Sequence, residues 1–325
     1  MANKFEALLN PRSVSIIGAS SDKKKLNGRP QYFMQRDGFE GKIYPVNPKY
    51  DNINGLVCYS DIGSLPEAPD LAIVIVGAAQ VVKVITKLGE HGVKAAIIFS
   101  SGFAELGDEG RAREAKLVEA AQASGIRILG PNNLGVINSF ICMPATFSQN
   151  ADIPPHAGPI AFASQSGAFG TGIAALTRGW GLGIGYFVNT GNEADVTVIE
   201  ALNYAIEDKR ISVACAYLEG VREGDQLAAL ADKSIRMGKP EHLERSESCE
   251  IGLRVLIGKR QAMVSSSDTS REAMEELSMC ALAMAKAVPE DPFCGLAEIN
   301  QLATNFPDVQ SCDPFEPDAD HLSDL

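Results

Sequence analysis

The sequence predicts an α/β fold made of two successive parallel-sheet units and a smaller α+β appendage. Three observations predict it. Short, continuous apolar runs alternate with helical patterns over the first 140 residues. That rhythm restarts near residue 158. It breaks after Pro240, where charge and strand type both change.

The first five strands are read at "SVSIIGAS" (13–20), "KIYPVNP" (42–48), "LAIVIVG" (71–77), "AAIIFSSG" (95–102) and "IRILGPNN" (126–133). Each run is continuous rather than alternating, as in a parallel sheet buried on both faces. Helical patterns such as "AAQVVKVITKLGEHG" and "DEGRAREAKLVEAAQASG" separate them, which makes βαβ units. The strands end in Gly, Ser, Asn or Pro, the residues that let backbone approach a ligand at the carboxyl edge of a sheet. The restart gives a strand, a tight turn and a helix in "GPIAFASQSGAFGTGIAAL" (158–176). Strands with loops follow in "GIGYFVNTGNEAD" (183–195) and "SVACAYLEG" (212–220), then a helix in "DQLAALADKSIRMG".

Beyond Pro240 the pattern is different. Cys249, Ile251, Leu253, Val255 and Ile257 share one face of a strand, with Glu250 and Arg254 on the other. Strict alternation marks a half-exposed, antiparallel strand, and "IGKRQAMVSS" is its hairpin partner. "TSREAMEELSMCALAMAKAV" reads as a helix with Thr269 and Glu272 at capping-box spacing and an apolar stripe of Ala273, Leu277, Cys280, Ala281 and Met284. The tail from Pro289 is rich in Pro, Asp and Glu and reads as loop or partly disordered.

Composition excludes several functions. The 325 residues carry a net charge of -12, of which -11 falls on residues 241–325 (17 acids, 6 bases), so a general nucleic-acid binder is not expected. Seven scattered cysteines with no C-x-x-C pair argue against a disulfide framework or a zinc site and read as buried small hydrophobes. The N-terminus lacks an apolar signal region, and no apolar run reaches the ~18 residues of a membrane span. A cytoplasmic protein with no membrane contact and no metal is the expectation. The turn "IIGASS" carries only Gly18 of a G-x-G-x-x-G fingerprint, and Gly181, Gly183 and Gly185 of "GLGIG" precede a strand instead of following one. A nicotinamide-dependent oxidoreductase is therefore the weaker reading.

Six ordered motifs carry a more specific resemblance: "FEALLNPRSVSIIGAS", "IYPVNPKY", "IIFSSGFAE", "ILGPNNLGVIN", "IAFASQSGAFG" and "NTGNEADV". Over residues 5–240 the chain resembles the α portion of NDP-forming acyl-CoA synthetases, relatives of the succinyl-CoA synthetase α subunit. The resemblance implies a Rossmann-like CoA-binding domain over 1–145 and a truncated flavodoxin-like, succinyl-CoA synthetase-like domain over 146–240, with 241–325 as the appendage. It implies that coenzyme A phosphates lie at Gly18, Ala19 and Ser20, and the nucleotide along Pro45, Val46, Asn47, Pro48 and Lys49, with Lys49 as the cation. Pantetheine would follow Val76, Gly77, Ala78, Ser100, Gly102, Asn132 and Asn133. Small residues with free N–H groups suit that work. Ser164, Gln165, Ser166 and Gly167 would form a phosphate-binding helix start. Glu219 matches the family glutamate that orients a phosphohistidine, and Gly191, Asn192, Glu193 and Asp195 match a neighbouring active-site loop.

The family reaction joins an acid, CoA and ATP to give acyl-CoA, ADP and phosphate. It needs a phosphorylated histidine and an ATP-grasp domain that supplies nucleotide and Mg. His91, His156, His242 and His321 all lack the loop context of that histidine. The expectation is thus a CoA-binding α portion not competent alone, with a carboxylic acid or acyl-CoA as substrate and an ATP-grasp β subunit as partner. Its alternative is a non-catalytic CoA-binding or regulatory module that works with a partner subunit. Homo-oligomerisation is left open. From residue 243, "ERSESCEIGLRVLIGKRQAMVSSSDTSREAM" and "AMAKAVPEDPFCGLAE" resemble an N-terminal fragment of the TldD/PmbA (modulator of DNA gyrase) family. That family's zinc motif, H-E-x-x-x-H, is not in this sequence, so no zinc role carries over. Both halves match partially, and position 240 reads as a join between two genes. The join would leave the second sheet short of a strand, with an apolar edge.

Overall fold

The computed structural model describes residues 4–221, 224–234 and 251–296. The chain divides into two compact units, Met1–Met237 and Gly238–Leu325. The junction at 240, His242, His321, Cys249, Cys312 and the acidic tail lie outside the described residues.

In the first unit, β1 (Ser13–Ile17), β2 (Lys42–Val46), β3 (Leu71–Val74), β4 (Ala95–Ile98) and β5 (Arg127–Leu129) form one sheet. All neighbours are parallel, in the order β2-β1-β3-β4-β5. Alternate residues of these strands serve different cores. Ile16, Ile73 and Ile97 pack on one face, with Leu8 and Met34, and Ala72, Val74 and Ile98 pack on the other, with Val81, Ile85 and Leu117. Two buried faces are why the runs read as continuous. Pro45 sits in β2, an edge strand where a missing N–H costs no ladder bond.

Helices α1 (Lys4–Leu9) and α2 (Arg29–Asp37) flank this sheet, together with α3 (Ala78–Glu90) and α4 (Asp108–Ser124). In α3, Val81, Ile85 and Leu88 fall at helical spacing and are buried. α4 ends at Gly125, whose left-handed backbone (φ 66°) lets its N–H cap Ala121 O.

The second sheet holds two strands that the sequence reading missed. β6 (Gly135–Asn138) and β7 (Met143–Thr146) pair antiparallel and join β8 (Ile160–Ser164), β9 (Ile184–Asn189) and β10 (Val213–Tyr217). The order is β10-β8-β9-β6-β7. The chain thus passes into the second sheet before residue 146. α5 (Gly167–Gly179), α6 (Val198–Ala205) and α7 (Gly224–Ser234) complete the unit. α6 starts with a capping box in which Thr197 and Glu200 serve each other's backbone N–H. Among the described residues β10 is an edge strand, and Val213 on it is exposed.

In the second unit, β11 (Ile251–Ile257) and β12 (Arg260–Ser266) make the expected antiparallel hairpin, and α8 (Arg271–Ala287) follows. Two details differ from the sequence reading. The N-cap is Ser270, which accepts from Ala273 N, so Thr269 and Glu272 form no capping box. The helix therefore starts later than expected. Its inward face runs through Ala281 and Ala285, while Cys280 and Met284 are exposed. Cys142 is exposed too, and only Cys58 and Cys294 of the described cysteines are buried.

Candidate functional site

The crossover order puts a switch point between β1 and β3, where an open α/β sheet leaves a crevice beyond its strand ends. Gly18 closes β1 there with φ 89°, and a Cβ on it would stand 2.4 Å from Ile75 O. The two chains approach that closely only because residue 18 has no side chain. Gly77 caps α3 at the same edge, and a Cβ on it would meet nothing within 4 Å. A helix start with open space before it suits a phosphate or a polar chain.

Several of the residues expected to bind here spend their polar atoms on the local structure of these strand ends. Ala19 and Ser20 are buried; Asn47 Nδ2 donates to Ala19 O (2.7 Å) and Asn47 Oδ1 accepts from Lys49 N (3.0 Å). Val46 and Pro45 are buried in β2, while Pro48 and Lys49 are exposed beyond it. Ser100 Oγ donates to Val76 O, and Asn132 N donates to Ser100 O (3.0 Å). Asn133 is 3% exposed; its amide donates to Ile98 O and Leu129 O, and its oxygen accepts from Gly135 N. Asn133 therefore shapes the loop through its own backbone contacts. Two features went unread in the sequence. Asn27 Nδ2 donates to Gly18 O (2.6 Å), and Lys23, Lys24 and Lys25 lie exposed in the loop that follows the β1 turn. The run "DKKK" directly after "IIGASS" was the available signal.

A second constellation sits at the carboxyl edge of β8, β9 and β10. Gln165 is its hub. Its Nε2 donates to Glu193 Oε2 (2.8 Å) and Gly220 O (2.9 Å), and its Oε1 accepts from Glu219 N (2.6 Å) and Gly220 N (3.0 Å). Glu193 is 8% exposed, has φ 54°, and accepts from Val198 N (2.7 Å) through its other oxygen. A non-glycine residue held left-handed at such a place is backbone strain of the sort that collects at functional sites. The Glu219 carboxylate is exposed beside this hub. Ser166 caps α5 by accepting from Phe169 N, and Ser164 Oγ donates to Ser166 O (2.7 Å). Asn189, unread in the sequence, locks the turn: it accepts from Leu134 N (2.7 Å) and donates to Ser164 O (2.8 Å).

The 190–196 loop joins the two sheets. A Cβ on Gly191 would stand 2.4 Å from Pro131 O and Asn132 O. Asn192 N, Ala194 N and Val196 N donate to Pro131 O, Gly130 O and Ile128 O. Asn192 and Asp195 point away from the Gln165 hub. Asn192 Nδ2 donates to Glu105 (2.7 Å) and Glu114 (2.9 Å), and Asp195 accepts from Arg127 (2.9 Å) and Ile128 N (2.8 Å). Burial pushes the Glu105 carboxyl up, yet hydrogen bonds from Asn192, Gly102 N and Phe103 N outweigh it and hold it below the ordinary range. His91 caps the C-terminus of α3, and His156 lies just ahead of β8, so both stand at the sheet edges opposite these two constellations.

Comparison with known proteins supplies the family. The model of the CoA binding domain matches residues 12–139, and that of the succinyl-CoA ligase like flavodoxin domain matches residues 157–285. The chain is homologous to the α subunits of NDP-forming acyl-CoA synthetases. It is 35% identical over 272 residues to acetate–CoA ligase (ADP-forming) I of Archaeoglobus fulgidus, covering 84% of this chain and 39% of that protein. It is 38% identical to the α subunit of acetate–CoA ligase (ADP-forming) I of Pyrococcus furiosus, over 73% of this chain and 51% of that one. The dinucleotide-forming acetyl-coenzyme A synthetase 1 of Ca. Korarchaeum cryptofilum, solved with phosphate and ADP, superposes with a TM-score of 0.67 at 34% identity, over 71% of this chain and 49% of that one.

This homologue thus spans about half or less of those relatives. The flavodoxin-domain match runs past residue 240, where the sequence patterning changes. Metalloprotease PmbA of Escherichia coli O157:H7 matches weakly, at 27% identity over 40% of this chain and 30% of that protein. Among the described residues no helix is long and apolar enough to cross a membrane.

Proposed function

We propose that this chain is the CoA-binding α portion of an acid–CoA ligase of the NDP-forming kind, acting with an ATP-grasp partner that brings ATP and Mg. The observation that carries the reading is the switch-point crevice at Gly18 and Gly77, which lies inside the stretch matched by the CoA binding domain. CoA would lie across the ends of β1, β3 and β4, with its phosphates over Gly18, Ala19 and the Lys23–Lys25 loop and its pantetheine running past Gly77 and Gly102. Gly77 leaves open space there, and the exposed lysines balance phosphate charge. The Gln165 hub would then hold a phosphoryl group at the start of α5, and Glu219 would orient the group that carries it. The positive end of the α5 dipole favours an anion. Relatives that are named α subunits support a partner chain.

Calorimetric titration of CoA into the full chain is the direct test. Binding that Gly18→Val abolishes is the expected result. NAD binding with no response to CoA would reject the reading. The pure chain given a carboxylic acid, ATP and CoA is expected to release no acyl-CoA.

A further inference from the structure

The outer edge of β10 carries unspent backbone. Val213 N donates to Pro159 O and Tyr217 O accepts from Gln165 N (3.1 Å each), so these residues and Cys215 between them turn their peptide groups toward β8. Peptide groups alternate along a strand, so Ala214 and Ala216 turn theirs outward. Both residues are exposed, and among the described residues no strand pairs with them on that side. Their methyl groups leave room for another backbone to lie alongside. The stretch "ISVACAYL" (211–218) holds no charge and no proline, the devices that keep an edge strand from pairing.

The side chains next to this edge are apolar too. Cys215 and Tyr217 pack with Phe162 and Ala174 under α5, and Phe169 of α5 stacks on Tyr217 at 3.9 Å. Phe169, Ile173, Leu176 and Trp180 recur at i, i+4, i+7 and i+11, one stripe along the flank of α5 that borders β10. Trp180 on it is 66% exposed. The chain's own continuation is poorly suited to cover this surface. Residues 235–250, "IRMGKPEHLERSESCE", hold no apolar run, whereas a further strand here would be buried on both faces.

We propose that the edge is covered by a second copy of this chain, the two β10 strands antiparallel across a twofold axis at Cys215. A twofold contact sets one patch against itself, so the pairing must be antiparallel, and it stops at two copies. In this register Ala214 of one copy and Ala216 of the other exchange N–H···O bonds, twice over, which uses every outward group of the pair. Val213 then lies opposite the other copy's Tyr217 in a closely spaced position, a favourable β-branched and aromatic pair. The two α5 helices run antiparallel above the joined sheets, three strand spacings or roughly 14 Å apart. That gap is wide for bare helices, and the stripes with Phe169 and Trp180 fill it from both sides. Charge permits the approach, because nearly all of the net charge of -12 falls beyond residue 240. The proposal does not depend on the CoA reading.

Sedimentation of the full chain over a dilution series tests it. The expected species has twice the 34.6 kDa of one chain. Trp180 is the sole tryptophan, so its emission should shift to the red as dilution separates the copies. Ala216→Pro removes an N–H that faces away from β8 and leaves the β10–β8 ladder intact. Two inter-copy bonds vanish with it, and dimerisation should weaken about tenfold. A single-chain mass at every concentration overturns the proposal, as does a dimer that A216P leaves unchanged or a species that keeps growing beyond two copies. Should A216P fail to fold, hydrogen exchange of the unaltered chain decides. The Ala214 and Ala216 amides should be protected in the dimer and exchange freely on dilution, and equal exchange in both states rejects the interface.

Discussion

Gly18 carries two constraints at once: a left-handed φ of 89° and Ile75 O within 2.4 Å of any added Cβ. Gly18→Val should cost more than the ~1–2 kcal/mol of left-handed backbone alone, because β1 and β3 must also move apart. A lowered melting temperature together with lost CoA binding would check both parts. Gln165 makes four hydrogen bonds, one of them to the carboxylate of Glu193. Gln165→Ala should destabilise by about 1.5–3 kcal/mol, the range of hydrogen bonds to charged groups, since the bond to the Glu193 carboxylate is lost. Denaturant unfolding measures it. At Asp208, the Arg210 guanidinium and then the Tyr186 hydroxyl hold the carboxyl down, from 3.8 to about 2. A folded value below the unfolded one means the stabilisation is complete above about pH 4 and is lost as pH falls through 2. In Asp208→Asn the loss of stability between pH 4 and 2 should be shallower than in the unaltered chain, as acid titration followed by circular dichroism would report.

At the scale of elements, β10 is the exposed member. It pairs with β8 alone among the described residues, and Val213 on it is 46% exposed. Phe169 at the start of α5 stacks on Tyr217 at 3.9 Å, and Leu176 and Trp180 along that helix are exposed as well. A bare apolar edge invites pairing with another chain. Val213→Lys should reduce self-association in light scattering and shift stability by no more than about 0.5 kcal/mol, as for other surface changes. The elements also separate what was legible from what was not. Strands β1 to β5 stood out because both faces are buried, so most positions are apolar. β6 and β7 escaped notice because "GVIN" and "MPAT" are four residues each, one of them containing proline, and carry too little pattern. In α8 the 3.6-residue period was visible, but the stripe read from it was wider than the face that is buried. Packing against the hairpin selects Ala281 and Ala285 over Cys280 and Met284.

The chain divides into two compact units, Met1–Met237 and Gly238–Leu325. The first has its own cores, and Arg127 of β5 ties the two sheets together by pairing with Asp195 of the 190–196 loop and Glu200 of α6. Residues 1–237 alone should therefore melt in one cooperative transition and bind CoA as the full chain does; scanning calorimetry of both would establish it. The sequence by itself determined the α/β class, the strand ends that carry small residues, and the change of pattern at 240, because burial period and turn chemistry are local properties. Tertiary structure alone decided where polar side chains spend their hydrogen bonds. Asn192 and Asp195, which flank the hub residue Glu193 in sequence, turn to Glu105, Glu114 and Arg127. Asn150, ahead of β8, and Arg178, in the last turn of α5, line one cavity. Such pairings span tens of residues, and no periodicity records which distant partner a side chain will find.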